Sequence, residues 1–162
     1  MPELIERLKT EHTEIIDMLF RAKSLSRRNT SGLRQLLMAK DLLISHLKTE
    51  DDELYAYLME RAEGDASLKN QVLEFISEMK DITEKAIDFF DRYTKKVEEG
   101  QRSESILQRL KGRLLGSKTD EFQEDFEKIY SLILDRIHKE ENTLYPLYLR
   151  LKGSETTPQH SR

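Results

Sequence analysis

The chain contains no cysteine, which excludes disulfides, thiolate-bound metals, iron–sulfur clusters and thiol catalysis together. Proline and glycine are scarce, with 3 and 6 in 162 residues, too few to punctuate the many turns of a β-sandwich or barrel. Long apolar runs are missing as well. The longest are a few residues, far short of the ~20 that a spanning helix needs, and the opening MPELIERLKTEH is charged where a secretory leader would be apolar. A soluble cytoplasmic protein is expected, with no membrane partner. Neither sign of charge dominates: 27 basic against 31 acidic side chains leave a formal charge of -4, so no broad positive surface is on offer and no nucleic-acid partner is expected. No Gly-rich phosphate loop or nucleophile elbow can be found, and a binding module is expected ahead of an enzyme.

What the sequence does hold is apolar and charged residues in near-equal amounts, 37% and 36%, recurring at helical spacing over a one-domain length. A first helix is predicted from Pro2 to about Ser26 on Leu4, Ile5, Leu8, Ile15, Ile16, Leu19 and Phe20. A second follows on Leu33, Leu36, Leu37, Leu43, Leu47, Leu54 and Leu58, ending at Gly64, where glycine can enter the left-handed region. Ser67 is the expected N-cap of a third helix on Val72, Ile76, Ile82, Phe89 and Phe90, which stops at Gly100. A fourth begins near Thr119 or Asp120 and carries Phe122, Phe126, Ile129, Ile133, Ile137 and Leu144, with Pro146 expected to kink or end it. Between the third and fourth, Ile106, Leu107, Leu110, Leu114 and Leu115 among Arg102, Arg109, Lys111, Arg113 and Lys118 predict a short inserted helix. The last ten residues, GSETTPQHSR from Gly153 to Arg162, lack periodicity and are expected as a flexible tail. The fold class is therefore all-α, an up-down-up-down antiparallel four-helix bundle over residues 1–152.

The chain also repeats itself. HLKTEDDELYAYL from His46 aligns with RIHKEENTLYPLY from Arg136, so that Glu50 meets Glu140, Leu54 meets Leu144 and Tyr55 meets Tyr145. More weakly, TEHTEI in the first helix meets SEMKDI in the third, with His12 opposite Met79. Such a duplication implies approximate twofold symmetry of two helix pairs about the bundle centre. His46 and Glu50 are four residues apart, about 400° of helical rotation, so the two side chains share a face within ~40°. An imidazole and a carboxylate projecting together into a bundle form half of a metal site, although the same pair also serves as a plain polar contact. Of the acidic run Glu50, Asp51, Asp52, Glu53, only Glu50 is needed inward, and Tyr55, Tyr145 and Tyr148 suit packing at the bundle end with a hydroxyl reaching the centre.

With a second histidine in the first helix, the EDDELY and EENTLY echoes and the four-helix layout, the sequence resembles the hemerythrin-like, or HHE cation-binding, family from Leu4 to about Leu151. That family places histidines and HxxxEE motifs on its four helices around two carboxylate-bridged irons. The resemblance implies metal ligands at His12, His46, Glu50 and Glu140. Two histidine positions are substituted, by Met79 in the third helix and Arg136 in the fourth, and both losses fall on the same metal. His138 does not replace Arg136, because two residues turn it about 200° away. Met79 is a soft thioether, read as core filler. Arg136, one turn before Glu140, can put its guanidinium where a second ion would lie.

The expected function is a metal-binding or sensing module with an altered centre, holding at most one iron, manganese or zinc ion and not carrying dioxygen on two irons. Its partners would be a small diatomic ligand or another protein. Two other readings stand beside it: a metal-free interaction or regulatory bundle with a buried Arg–Glu–His network, and a mononuclear-metal enzyme of oxygen or peroxide chemistry.

Overall fold

The computed structural model describes residues 3–25, 30–100 and 118–155. Its elements are α1 (Glu3–Leu25), α2 (Thr30–Thr49), a π-helical segment π1 (Glu50–Tyr55), α3 (Ala56–Arg61), α4 (Ala66–Gly100), α5 (Lys118–Lys139), a second π segment π2 (Glu140–Leu144) and α6 (Tyr145–Glu155). Because α2, π1 and α3 follow one another without a break, as do α5, π2 and α6, the result is an all-α bundle of four rods with no strand among the described residues. No helix among them is long and apolar enough to cross a membrane. The inserted helix expected over 102–118 lies outside the described residues except for Lys118, as does the tail beyond Glu155 with His160. Gly153, Ser154 and Glu155, expected in the tail, belong to the last turn of α6.

The turn between the second and third rods follows its residues. Gly64 takes φ +87°, a conformation that costs glycine little, and reverses the chain after Ala62. The carboxylate of Asp65 then accepts a hydrogen bond from the Leu68 amide at 3.0 Å, which makes Asp65 the N-cap of α4 and leaves Ser67, the expected cap, inside the first turn.

Pro146 does not end the fourth rod. The turn before it is already widened: the Tyr145 amide donates to the carbonyl of Glu140, five residues back, and a proline at this point removes no regular i−4 bond that the helix still needs. The same widening turns Glu140 and Tyr145 towards a common side. In a regular helix five residues would set them about 140° apart, yet both are buried. Glu50 and Tyr55 stand in the same relation at π1, and both are buried too.

The core has two apolar halves. One is built on Ile15, Leu19, Leu36, Leu43, Phe89, Phe90, Phe126 and Ile133, the other on Ile5, Leu8, Leu54, Leu58, Val72, Leu144, Tyr145 and Leu147. Every rod crosses from one half to the other, and at each crossing stands a residue singled out by the sequence: His12 between Leu8 and Ile15, His46 and Glu50 between Leu43 and Leu54, Met79 between Val72 and Ala86, Arg136 and Glu140 between Ile133 and Leu144. A buried polar layer is thus sealed from above and below by apolar packing.

Replacing Asp65 with alanine should cost ~1 kcal/mol of stability through loss of the cap, whereas Ser67→Ala should change it by less than ~0.5 kcal/mol. Urea unfolding of the two variants checks the assignment; equal effects would move the cap.

Candidate metal centre

Each rod of the first repeat brings its ligand to the polar layer by ordinary helical phasing, and the second repeat adds a carboxylate. His12, His46, Glu50 and Glu140 are all buried, and one donor atom from each lies within 4.8 Å of the others. The two imidazole Nε2 atoms are 3.1 Å apart. Oε2 of Glu140 is 3.1 Å from Nε2 of His12, and Oε1 of Glu50 is 3.6 Å from Nε2 of His46. The far nitrogens are occupied: Nδ1 of His12 meets Glu141 at 2.8 Å and Nδ1 of His46 meets Glu11 at 2.8 Å. Tyr145, whose ring stacks on His12, donates its hydroxyl to Oε1 of Glu50 at 3.0 Å and lies 3.2 Å from Nε2 of His12.

Opposite the imidazoles stands Arg136. Its Nε donates to Oε1 of Glu140 at 2.5 Å, one terminal nitrogen donates to Oε2 of Glu50 at 2.8 Å, and the other donates to the Met79 carbonyl at 3.1 Å and to the Thr83 hydroxyl. Each central carboxylate therefore gives one oxygen to the imidazole side and its other oxygen to the guanidinium. The planar fork suits this task, since it meets two carboxylates and a carbonyl in fixed directions.

The four ligand residues are grouped closely enough to hold a metal ion. On the imidazole side two ring nitrogens and two carboxylate oxygens converge, and Oε2 of Glu140, fully buried, has no hydrogen-bond partner among the described residues. An orphaned buried oxygen costs free energy unless something satisfies it, and this mixed nitrogen and oxygen set suits Fe(II), Mn(II) or Zn(II). On the other side stand a guanidinium, which has no lone pair to give, and a thioether residue, whose soft sulfur is poorly matched to a hard cation. The Tyr55 hydroxyl, counterpart of Tyr145 by the repeat, is buried without a hydrogen-bond partner among the described residues.

Burial of so much charge moves the protons. Burial, and then the charge of Glu140, push the Glu50 carboxyl up to about 8, against the pull of Arg136 and Tyr145. Burial works the same way on Glu140, but Arg136 and then His12 outweigh it and hold this carboxyl below its ordinary range. His12 is disfavoured as a cation by burial, yet contact with Glu140 and Glu141 raises it overall. His46 is lowered by burial and by the neighbouring charge of His12. Without an ion the cluster thus draws a proton to the His12 and Glu140 pair and keeps His46 neutral.

All four expected ligands are brought together here, and both substituted positions, Met79 and Arg136, line the same layer. His138 is exposed, with its ring against the Asn142 amide at 3.2 Å. Asp51, Asp52 and Glu53 are exposed, as expected of a solvated face. Of the tyrosines expected at the bundle end, Tyr145 reaches the centre. Glu11, Glu141 and Thr83 were not singled out from the sequence. A signal existed for the two glutamates, each adjacent to a ligand in the EH and EE pairs, but none for Thr83, which occupies the third rod one turn after Met79.

The family model described as Hemerythrin HHE cation binding domain matches residues 3–148. No curated protein and no solved structure matches the chain.

Arg136→Met should leave the buried Glu140 carboxylate without its cation and cost ~3–5 kcal/mol near neutral pH. A carboxylate held below its ordinary value of 4.5 contributes stability that is present above that pH and is lost as pH falls through the lower folded value. Removing Arg136 deletes this contribution, so the unfolding free energies of parent and variant should converge in acid. A variant as stable as the parent at pH 7 would contradict the role given to Arg136.

Proposed function

The chain belongs to the hemerythrin HHE cation-binding family, and we propose that it is a one-ion member of it, a metal-binding or sensing module in which Arg136 replaces the second ion. The observation that supports this reading is the division of the two central carboxylates, with Arg136 on one oxygen of each and the imidazoles facing the other. His12, His46, Glu50 and Glu140 would hold the ion, iron, manganese or zinc. Arg136 supplies a charge that cannot dissociate at any working pH, fixes the rotamers of Glu50 and Glu140, and repels a divalent cation from the Met79 side. Tyr145 holds Oε1 of Glu50 from the imidazole side. The apolar halves of the core exclude water and so strengthen every electrostatic contact in the layer.

When bound, the ion supplies Lewis acidity and, if it is iron, one-electron redox chemistry at a position open to a small diatomic ligand. Reversible carriage of dioxygen by two irons is not served by this centre, because it draws one electron from each iron and the second imidazole set is replaced by Met79 and Arg136.

Titration with iron(II), manganese(II) or zinc(II) should saturate at one equivalent. His12→Ala and His46→Ala should each abolish uptake, and His138→Ala should leave it unchanged. Two tight equivalents would overturn the one-ion reading; no uptake would overturn it in favour of the metal-free network. Binding should also release protons, since the ion replaces those held by His12, whose affinity for a proton is raised, and by Glu50, pushed up to about 8, so apparent affinity should rise as pH is raised towards about 8. Met79→His combined with Arg136→His should add a second equivalent more readily than either change alone.

A further inference from the structure

The geometry points to Glu11 and Glu141 as positioning residues that decide which nitrogen each imidazole presents to the ion, an inference that rests on the one-ion reading above. A neutral histidine ring carries its proton on one nitrogen only, and the ring can bind a cation through Nε2 only if that proton sits on Nδ1. An unrestrained ring exchanges between the two forms. Here Oε2 of Glu11 lies 2.8 Å from Nδ1 of His46 and Oε1 of Glu141 lies 2.8 Å from Nδ1 of His12. A carboxylate accepts and cannot donate, so each contact favours a proton on Nδ1 and frees Nε2 for the centre; at His12 this competes with Oε2 of Glu140, 3.1 Å from Nε2, until an ion takes the place of the proton between them. Each contact also stops rotation of the ring and makes Nε2 more basic.

The arrangement crosses between helices. Glu11 sits on α1 beside the ligand His12 but serves His46 on α2; Glu141 sits in π2 beside the ligand Glu140 but serves His12 on α1. The three rods that supply ligands are therefore locked to one another through the ligands themselves.

The internal repeat supplies the comparison that separates this role from a chance surface contact. Glu78 stands at the position of Glu11 and Asp51 at that of Glu141, in the half where the histidines are replaced by Met79 and Arg136. There Glu78 is 58% exposed and pairs with Lys139 at 2.8 Å, and Asp51 is exposed. Glu11 and Glu141 are drawn in to 20% and 32% exposure. Carboxylates at one register thus turn inward in the half that has a ring to hold and outward in the half that has none.

The test compares Glu11→Gln and Glu141→Gln with the matched controls Glu78→Gln and Asp51→Asn in the full chain. Zinc affinity is read by competition with a chromogenic chelator, and the proton position by the ¹⁵N shifts of the ring nitrogens in metal-free protein at alkaline pH, where both rings are neutral. Glu11→Gln and Glu141→Gln should each weaken zinc binding about 10- to 100-fold and shift His46 and His12, respectively, towards the Nε2–H form. Glu11→Asp, which keeps a carboxylate, should recover part of the loss. The controls should leave affinity and ring shifts unchanged. Unaltered tautomers in the glutamine variants, or an equal loss of affinity in Glu78→Gln, would overturn the inference. If the parent takes up no zinc, the one-ion reading fails on that result, and the ring shifts by themselves decide whether Glu11 and Glu141 set the tautomers.

Discussion

Two carboxylates, Glu50 and Glu140, lie at the centre of the bundle with 0% exposure, and the rest of the layer is arranged around the cost of keeping them there. Burial and mutual repulsion drive such groups towards protonation. What keeps the pair from full neutralisation is the guanidinium of Arg136 on one side and the imidazoles on the other. Remove either and the carboxylates must take up protons or open the core. The four rods meet where they do because each contributes to this balance: α1 and α2 the imidazoles, π1 and π2 the carboxylates, α5 the arginine, and α4 the Met79 carbonyl and Thr83 hydroxyl that hold the arginine in place.

The duplication makes the balance asymmetric in an informative way. Equivalent positions carry His46 and Arg136, His12 and Met79, Glu11 and Glu78, Tyr145 and Tyr55. On the imidazole side the Tyr145 hydroxyl is bonded to Glu50, while the Tyr55 hydroxyl has no partner among the described residues. One half of the layer has the contacts of a ligand site. In the other, a fixed organic cation supplies the positive charge without needing imidazole ligands, and the groups that would support such ligands are left exposed or unpartnered.

The two π segments connect this chemistry to the fold. Each begins at the central glutamate, so the widened turn sits where the rod has to present both a carboxylate and, five residues on, a tyrosine to the interior. A regular helix cannot do this, and local widening of this kind is found mostly at functional positions. Leu54, Leu58, Leu144 and Leu147 anchor the following turns in the apolar half that also holds Ile5 and Leu8.

Periodicity within each rod is a local property, and the sequence therefore determined the four rods, the faces that carry His12, His46, Glu50 and Glu140, and the repeat positions at which Met79 stands opposite His12 and Arg136 opposite His46. Glycine and aspartate chemistry settled where the second rod ends, though it was Asp65 and not Ser67 that took the cap, since cap choice depends on which side chain meets the free amides. The widened turns were hidden, because the apolar residues on either side of them, Leu47 and Leu54 or Ile137 and Leu144, are seven apart and read as two regular turns, and Pro146 then looked like a stop. Only the tertiary structure decided which oxygen of Glu50 and Glu140 faces the arginine, that Thr83 helps to hold it, and that Glu11 reaches across to His46 while Glu141 reaches across to His12. Apart from the Arg136–Glu140 pair, those contacts join residues more than thirty positions apart and depend on the relative rotation of separate helices, which is fixed by how their apolar faces pack and not by the pattern along any one of them.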